Sequence, residues 1–250
     1  MFADKYLTEI QGLIEKIRIT QGEQLKKAAG LMADSIQKKR AVYMFGSGHS
    51  VLPCQDLFPR YGSFVGFVPI MDPRLMWFSV VGPGGARELL WLERTEGYIK
   101  EVLRSYNITA DDTMLLFSHG GTNAAAIEVG LQAREIGAKV VSVTSMANYK
   151  ITPAKHSSGK KLADVADVVI DNCCPPEDAI IPVPGQVEPV SASSTVAFVA
   201  TSMSLLAETA ELLAKRGVKL STFVSPNVAD LPKTHNQDVF VDYTEYVKKL

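Results

Sequence analysis

The sequence predicts an α/β fold in which a parallel sheet of about five strands has helices on both faces. Short apolar runs rich in β-branched and aromatic residues recur along the chain, as is typical of strands that are buried on both sides. Segments with helical periodicity separate these runs. Because strands alternate with helices, right-handed crossovers and a parallel sheet are favoured.

The first 40 residues contain two amphipathic helices, since apolar residues recur at three- and four-residue spacing over 6–17 and 25–36. We expect 1–40 to serve in packing and oligomerisation, because these helices carry more apolar surface than a peripheral arm should expose. Packing within one chain is the alternative. Residues 41–250 then form one domain, and the length of 250 residues suits a single α/β unit.

The remaining strands and helices are predicted from short apolar or periodic runs of residues and from the glycines and prolines that bound them. The predicted helices end near glycines where the pattern allows, as at Gly137 and Gly217. Two Gly- and Pro-rich stretches, 69–85 and 173–189, are interpreted as functional loops rather than as domain boundaries. The predicted strands are 41–45, 64–70, 114–117, 140–144 and 168–170, and the predicted helices are 87–106, 122–136 and 193–216.

Composition and charge exclude several classes of partner. The chain has 26 Lys plus Arg and 27 Asp plus Glu, so no global field favours nucleic acid or an anionic membrane. Three cysteines, two of them adjacent, form neither a disulfide framework nor a metal-ligand spacing, and reduced buried thiols are predicted. The N-terminus carries charges throughout, and no apolar run approaches the ~20 residues of a membrane span. We expect a cytoplasmic protein.

Two glycine-rich turns follow predicted strands. GSGHS (46–50) lacks the third glycine of a dinucleotide fingerprint, and no GxxxxGK[ST] loop occurs, so a tight turn is its plain alternative. SHGGTN (118–123) opens a helix whose free N–H groups and dipole favour a compact anion such as phosphate without Lys or Arg. Ligands bind at this edge of parallel sheets. The candidate anion-binding residues are Gly46, Ser47, Gly48, Ser50, Ser118, His119, Gly120, Gly121, Thr122 and Asn123.

The strand, the Ser-x-x-Gly-Thr turn, the helix and the strand AKVVSVTS resemble the SIS (sugar isomerase) family of phosphosugar-binding domains, from about Ile36 to the C-terminus. HSSGKKLADVADVVIDN, SSTVAF and SPNVADLPKTHN resemble a bacterial SIS subfamily related to phosphoheptose isomerase and N-acetylmuramic acid 6-phosphate etherase. The resemblance implies a doubly wound, flavodoxin-like sheet, a small anionic sugar as substrate, and homodimers or tetramers with sites at the interface.

The chain departs from the family pattern inside the second turn. SIS proteins use Ser-x-Ser-Gly-x-[Ser/Thr] on the sugar phosphate, and the match begins at Ser118. Gly120 replaces the second serine, which removes one phosphate contact and leaves more room, and Thr122 stands where relatives often have a longer polar side chain. The anionic group is then oriented differently or differs from a phosphate monoester. A protonated His119 would supply the missing charge.

Three carboxylates are candidate bases for proton transfer. Asp56 lies where phosphoheptose isomerases carry a catalytic glutamate, and Glu93 lies about where the etherases carry an acidic catalytic residue. Glu93 also follows a long apolar stretch, 71–86, that is predicted to form a lid. Glu188 resembles a glutamate in the SIS domains of glucosamine-6-phosphate synthases. The plain alternatives are solvated helix charges for Asp56 and Glu93, and a helix-capping carboxylate for Glu188.

Histidines and hydroxyl groups complete the candidate set. His49 and His119 lie in the glycine turns, which favours ligand contact, whereas a structural loop role is equally open for His156 and His235. In SIS dimers a segment like that of His235 reaches a neighbouring site. No cofactor is expected and no spacing predicts a metal site, although zinc held by scattered histidines, as in some phosphoheptose isomerases, stays an alternative. Further ligand contacts or helix caps are Ser193, Ser194 and Thr195.

Three functions remain in order of preference. The first is an aldose–ketose isomerase of a small sugar phosphate, with Glu93, Asp56 or Glu188 as base and a histidine as acid. The second is a sugar-phosphate lyase or etherase, whose family members carry paired glutamates. The third is a non-catalytic sugar-phosphate sensor, although no helix-turn-helix segment is evident.

Overall fold

The central sheet of the protein is parallel and has five strands. These are β1 (Val42–Gly46), β2 (Phe67–Pro69), β3 (Thr113–Phe117), β4 (Lys139–Thr144) and β5 (Val168–Asp171). Their order in the sheet is β2-β1-β3-β4-β5, which is the flavodoxin-like order with its switch point between β1 and β3. The structure is a computed structural model that describes residues 1–77, 81–82, 84–227 and 231–250. The predicted fold class is confirmed.

Helices flank the sheet on both faces. The predicted helices at the N-terminus and those ending near glycines are α1 (Phe2–Thr20), α2 (Gly22–Gln37), α6 (Ala124–Ile136) and α9 (Ser194–Lys215). The helix expected after the first turn, where Asp56 was placed, is present as α3 (Leu52–Leu57). Helices α7 (Met146–Ile151), α8 (Leu162–Val165) and α10 (His235–Val247) were not predicted from the sequence. Nor was the antiparallel hairpin of β6 (Ala179–Ile181) and β7 (Val190–Ala192), which lies within and after the second predicted loop.

The prediction of a single helix over 87–106 is wrong. The segment forms two helices, α4 (Ala86–Leu92) and α5 (Tyr98–Leu103), with a break at Gly97. Gly97 has a φ of 87°, a left-handed conformation that interrupts a helix and that glycine adopts without strain. Both carboxylate oxygens of the buried Glu128 accept the Gly97 N–H, at 2.8 and 2.9 Å. As a result α4 stops early, and Glu93 becomes its C-terminal cap.

Strand residues alternate between two hydrophobic cores, one on each face of the sheet. In β1, Val42 and Met44 pack with α2 and α9 residues such as Phe198, whereas Tyr43 and Phe45 pack with residues of α5 and α6. All five residues of β1 are buried. Burial on both faces explains why the strands are continuous apolar runs rather than alternating ones.

The two N-terminal helices differ in how deeply they are buried. In α2, Ala28, Met32 and Ala33 are fully buried in the core beneath the sheet, and the helix packs against α9. In α1, Ile17 is the one buried residue, and Leu7 is 66% exposed. Within 1–40, therefore, α2 belongs to the main core and α1 lies on the surface.

One helix of the described residues, α9, is long and apolar enough to cross a membrane by length and composition. The sequence analysis found no uninterrupted apolar run of that length, because Ser, Thr and Glu recur within this segment. Phe198, Leu205 and Leu213 of α9 are fully buried, and the helix packs against α2 and α3. Burial within the protein core accounts for its apolar composition.

Candidate functional site

The two glycine-rich turns lie side by side at the carboxyl edge of the sheet, because Gly46 of β1 is in register with Phe117 of β3. A Cβ atom on Gly46 would lie 2.0 Å from the carbonyl oxygen of Ser50, so only glycine fits there. Gly121 has a φ of 61°, and a Cβ atom on it would lie 2.9 Å from Thr144 Oγ1. Both turns therefore depend on glycine for their close backbone paths.

A cavity of about 160 Å³ opens between these turns, and we call it the turn cavity. Residues 47–50 of the first turn line one side. Its other walls are Glu93 and four residues of the second turn, with Trp77, Leu89 and Leu90 completing the apolar part. The four second-turn residues are Ser118, His119, Gly120 and Asn123.

The second turn presents several backbone N–H groups that have no acceptor. Among the described residues, the amides of Gly120, Thr122, Asn123 and Ala124 donate no hydrogen bond, whereas the Ala125 amide donates to the Glu93 carbonyl at 3.0 Å. These free donors lie in a tight turn that leads directly into the 13-residue helix α6. Such groups provide an anion site from backbone alone.

Glu93 places a buried carboxylate in the turn cavity. The side chain is 5% exposed, and its Oε2 accepts a hydrogen bond of 2.6 Å from Ser47 Oγ. Burial raises the pKa of Glu93 above its ordinary value, and the hydrogen bond from Ser47 opposes part of that rise. A carboxylate with a raised pKa beside a cavity is suited to exchanging protons near neutral pH.

His119 makes two hydrogen bonds to the protein and so does not present a free ring nitrogen. Its Nε2 lies 3.1 Å from the carbonyl oxygen of Pro176, and its Nδ1 lies 3.4 Å from Asn172 Nδ2. The Asn172 amide orientation is fixed because its Oδ1 accepts the N–H of Cys174 at 3.0 Å. Both ring nitrogens are thus engaged by groups of the protein, and a charged role for His119 stays a prediction.

His49 lies on the opposite wall with one ring nitrogen engaged. Its Nε2 is 3.2 Å from Ser194 Oγ, and its ring stacks on Phe198 with centroids 6.3 Å apart. Burial lowers the pKa of His49, and the carboxylate of Asp178 opposes that change. A neutral imidazole is thus favoured at the edge of the turn cavity.

The fold and this site match a known family. A sequence profile of the SIS domain matches residues 5–145 of the chain. The chain belongs to the SIS domain family. A UPF0309 protein of Thermoanaerobacter pseudethanolicus is 33% identical over 250 residues, covering 98% of this chain and 99% of the relative. A UPF0309 protein of Caldanaerobacter subterraneus subsp. tengcongensis is 34% identical over 250 residues, covering 99% of each.

Solved structures show the same SIS fold at low sequence identity. Phosphoheptose isomerase GmhA from Neisseria gonorrhoeae superposes with a TM-score of 0.57 at 15% identity, covering 84% of this chain and 97% of that one. A phosphoheptose isomerase from Francisella tularensis superposes with a TM-score of 0.53 at 12% identity, covering 84% and 96%. These similarities establish the SIS architecture.

The other predicted bases of the SIS site lie outside the turn cavity. Asp56 forms an ion pair with Arg60, four residues later and beyond the end of α3, at 2.6 and 2.8 Å, and lines a separate cavity of about 530 Å³. Glu188 is exposed in the connection between β6 and β7. His235 begins α10, where its Nε2 lies 2.8 Å from the Thr222 carbonyl oxygen. None of these three lines the turn cavity.

The hydroxyl residues at the start of α9 are mostly occupied by the protein. Ser193 and Ser194 are fully buried and hydrogen-bond to Asp178, a residue that the sequence analysis did not identify. Thr195 is half-buried. Thr122 lines a neighbouring cavity of about 240 Å³ together with Arg94, Glu96, Ala124, Lys155 and His156.

His156 occupies a buried position between two carboxylates. Its Nε2 lies 3.7 Å from Glu96 Oε2 and 3.7 Å from Glu128 Oε1, and its Nδ1 lies 2.8 Å from Ser158 Oγ. Across the described parts of the chain, no group of three or more His, Cys, Asp and Glu side chains is placed to hold a metal ion. His156 thus lies close to both carboxylates beside the cavity that Thr122 lines, and its role stays open between a structural and a chemical one.

The predicted lid is described in part. Trp77 lines the turn cavity, and a Cβ atom on Gly48 would lie 3.1 Å from its Nε1. Asp72 starts a short turn of 3₁₀ helix by accepting the Arg74 N–H at 3.0 Å, and it also accepts the Tyr98 hydroxyl. Residues 78–80 and 83 of the predicted lid, and 228–230 of the SPNVADLPKTHN segment, lie outside the described residues.

Proposed function

We propose that this SIS protein is an aldose–ketose isomerase that acts on a small sugar phosphate in the turn cavity. The observation that carries the proposal is a buried carboxylate, Glu93, held by Ser47 in a cavity that also presents unpaired backbone amides. A base with a raised pKa and a separate anion site are the two features that this reaction needs. Two structural neighbours are phosphoheptose isomerases, which agrees with this class of reaction.

In the proposed mechanism, Glu93 and His49 move different protons. Glu93 removes the proton from the carbon beside the carbonyl group, which produces an enediol, and returns it to the neighbouring carbon. His49 takes the proton of the hydroxyl oxygen and delivers it to the former carbonyl oxygen. One proton thus moves between the two carbons and another moves between the two oxygens, so the aldose and the ketose contain the same atoms. Of the three candidate bases, Glu93 is the one that lines the turn cavity.

The anionic group of the substrate would bind at the start of α6. The free amides of Gly120, Thr122 and Asn123 supply donors there, and the positive end of the helix dipole adds a favourable field. Arg94 and Lys155, which line the adjacent cavity, add positive charge nearby. Backbone donors of this kind explain how the turn can bind an anion without the second serine of the family pattern.

The number of carboxylates favours isomerisation over ether cleavage. Etherases of the family carry paired glutamates, whereas Glu93 is the one carboxylate among the described residues that line the turn cavity. Comparing Glu93→Gln with Asp56→Asn does not separate the two reactions, because Asp56 is ion-paired at a different cavity. A direct test of the chemistry is therefore needed.

Proton exchange in deuterated water tests the proposal. The protein is incubated with a panel of aldose and ketose phosphates, and ¹H NMR follows deuterium entering the carbon beside the carbonyl group. We expect exchange and interconversion with at least one of these sugars, and loss of both in Glu93→Gln. Binding detected by thermal shift without exchange would instead support a sensor. Release of an alcohol or acid from an ether substrate without interconversion would support an etherase.

We also propose that the protein is a homo-oligomer whose interface includes α1. Phe2, Leu7 and Ile19 of this helix are 53%, 66% and 67% exposed, which is unusual for an amphipathic helix in a monomer. Tyr6 of the same helix donates to the Ala192 carbonyl at 2.9 Å, directly before the start of α9, so the interface would border the site. Light scattering should give a dimer or tetramer mass that Leu7→Glu reduces, and a monomeric native protein would contradict the proposal.

A further inference from the structure

Three side chains beside the turn cavity form a hydrogen-bonded row: Asp178, Ser194 and His49. Ser194 Oγ is 2.7 Å from Asp178 Oδ2 and 3.2 Å from His49 Nε2. Ser194 is fully buried, so its hydroxyl is committed to this row and is not available to a ligand. The row connects the start of α9 to the first glycine turn.

The backbone holds Asp178 firmly at the start of α9. Pairing of Ala179 with Ala192 in the β6–β7 hairpin brings Asp178 beside Ser193. Asp178 Oδ1 accepts the N–H groups of Ser193 at 3.0 Å and Ser194 at 2.6 Å, which are free donors at the start of a 22-residue helix. Burial alone would raise the pKa of Asp178, but the hydrogen bonds from Ser194, the interaction with His119 and the hydrogen bond from the Ser193 N–H together hold the pKa below its ordinary value. Asp178 is therefore a carboxylate at neutral pH.

Counting protons along the row fixes the tautomer of His49. A carboxylate oxygen can only accept, so Ser194 donates its single proton to Asp178. Ser194 Oγ must then accept from His49, and Nε2 carries the ring proton. Nδ1 of the neutral ring is consequently unprotonated. Nδ1 has no hydrogen-bond partner among the described residues and is not one of the fully buried unpaired atoms, and His49 lines the turn cavity.

Phe198 fixes the plane of the same ring. It lies one helical turn after Ser194 in α9, so one face of the helix offers both the hydroxyl and the aromatic surface. The two rings are nearly parallel, with an angle of 12° between their planes. Orientation and tautomer of His49 are thus both set by α9, which is itself held to Asp178.

We propose that Asp178 is a positioning residue that acts through Ser194 to keep Nδ1 of His49 unprotonated and open to the turn cavity. This assignment concerns the free protein. Its catalytic consequence rests on the proposed function: an unprotonated Nδ1 can accept the proton of a sugar hydroxyl and then return it to the neighbouring oxygen. The opposite tautomer would present an N–H donor to the cavity and could not begin that transfer.

Asp178→Asn tests the proposal because it should reverse the tautomer. The amide oxygen must take the place of Oδ1, which accepts two backbone N–H groups, so the NH₂ group faces Ser194. Ser194 then accepts from the amide and donates to His49 Nε2, and the ring proton moves to Nδ1. Long-range ¹H–¹⁵N NMR of ¹⁵N-histidine-labelled protein distinguishes the two tautomers. The sequence has four histidines, and His49→Gln assigns the signal.

We expect the Nε2–H tautomer of His49 in the native protein and the Nδ1–H tautomer in Asp178→Asn. The matched control is Asp164→Asn, since Asp164 likewise accepts a backbone N–H and a hydroxyl group but is remote from His49 in the hydrogen-bond network; this variant should leave the tautomer unchanged. A native Nδ1–H tautomer, or an unchanged tautomer in folded Asp178→Asn, would overturn the proposal. If Asp178→Asn does not fold, Ser194→Ala replaces it, and the proposal then requires a changed His49 ¹⁵N spectrum.

Kinetics separate this inference from the proposed function. With an isomerase substrate, Asp178→Asn should lower kcat by about 10²–10⁴-fold, the range of general acid–base catalysis, with a smaller effect on KM. If Asp178→Asn reverses the tautomer of His49 but the native protein isomerises no sugar, the positioning role of Asp178 is supported and the proposed function is refuted. If the tautomer of His49 is unchanged in Asp178→Asn, the positioning role of Asp178 is refuted, whether or not the protein isomerises sugars.

Discussion

Removing the Ser47 hydroxyl should destabilise the protein more at alkaline than at acidic pH. Ser47 Oγ donates a 2.6 Å hydrogen bond to the buried carboxylate of Glu93. A hydrogen bond to a charged group contributes about 1.5–3 kcal/mol, whereas a neutral one contributes about 0.5–1.5 kcal/mol. Ser47→Ala should therefore cost about 1.5–3 kcal/mol where Glu93 is ionised. At about 2–4 °C per kcal/mol for a protein of this size, Tm should fall by about 3–12 °C.

The pH dependence follows from the raised pKa of Glu93. A carboxyl group whose pKa is raised by folding contributes stability that is fully present below its unfolded pKa and is lost as pH rises through its folded pKa. Ser47→Ala raises that folded pKa further, so the loss of stability grows over the same rise in pH. Below the unfolded pKa, only a neutral hydrogen bond is missing.

Urea unfolding of native protein and Ser47→Ala at pH 4 and pH 8 measures the difference. Ser204→Ala is the matched control, because Ser204 Oγ donates to the Ala200 carbonyl at 2.8 Å and touches no carboxylate. Its effect should be the same at both pH values. Ser47→Ala in a Glu93→Gln background should also lose its pH dependence. An equal cost at both pH values, or a pH dependence that survives Glu93→Gln, would refute the reasoning.

Three further predictions, two of them with a matched control substitution, test the turns and the core. Gly46→Ala places Cβ 2.0 Å from a carbonyl oxygen and should lower the free energy of unfolding, measured with urea, by at least about 1–3 kcal/mol. Its control is Gly30→Ala, which has open space in α2 and should raise that free energy by about 0.5–1 kcal/mol. Asp112→Ala breaks a buried pair with Arg40 and should cost about 3–5 kcal/mol, against about 0–1 kcal/mol for the exposed Asp111→Ala. Gly120→Ser should change the free energy of unfolding by no more than about 0.5 kcal/mol, and calorimetry should show tighter binding of a sugar phosphate. A larger loss of stability, or weaker binding, would contradict this prediction.

The fold could be predicted largely because its strands are buried on both faces. Such strands are short apolar runs, and the helices between them are mostly long enough to show periodicity. Helices α7 and α8 have 6 and 4 residues, too few for a periodic pattern to emerge. All three residues of β7 are exposed, so it has no apolar signal. The break at Gly97 was missed because a glycine inside a helical pattern is usually tolerated.

The candidate site could be predicted where its parts are local in the sequence. The two turns follow from glycine spacing after predicted strands, and Glu93 was identified by its resemblance to the acidic residue of the etherases. Asp178 contacts Ser194 across 16 residues, and Ser194 contacts His49 across 145; both contacts depend on hairpin register and helix placement. The Asp56–Arg60 ion pair forms beyond the end of α3 at Leu57, so helical spacing did not indicate it.

The glycine that departs from the family pattern changes how the anion is held more than whether it is held. A Cβ atom on Gly120 would have its nearest neighbour, Thr122 Oγ1, at 3.8 Å, so the turn does not need glycine for space, and a hydroxyl is simply absent. The amides of Gly120, Thr122 and Asn123 remain unpaired among the described residues. Backbone donors are set by the turn's path rather than by its side chains. The proposed anion site therefore does not require the missing serine, whereas the proposed reaction would depend on Glu93 and on the tautomer that we infer for His49.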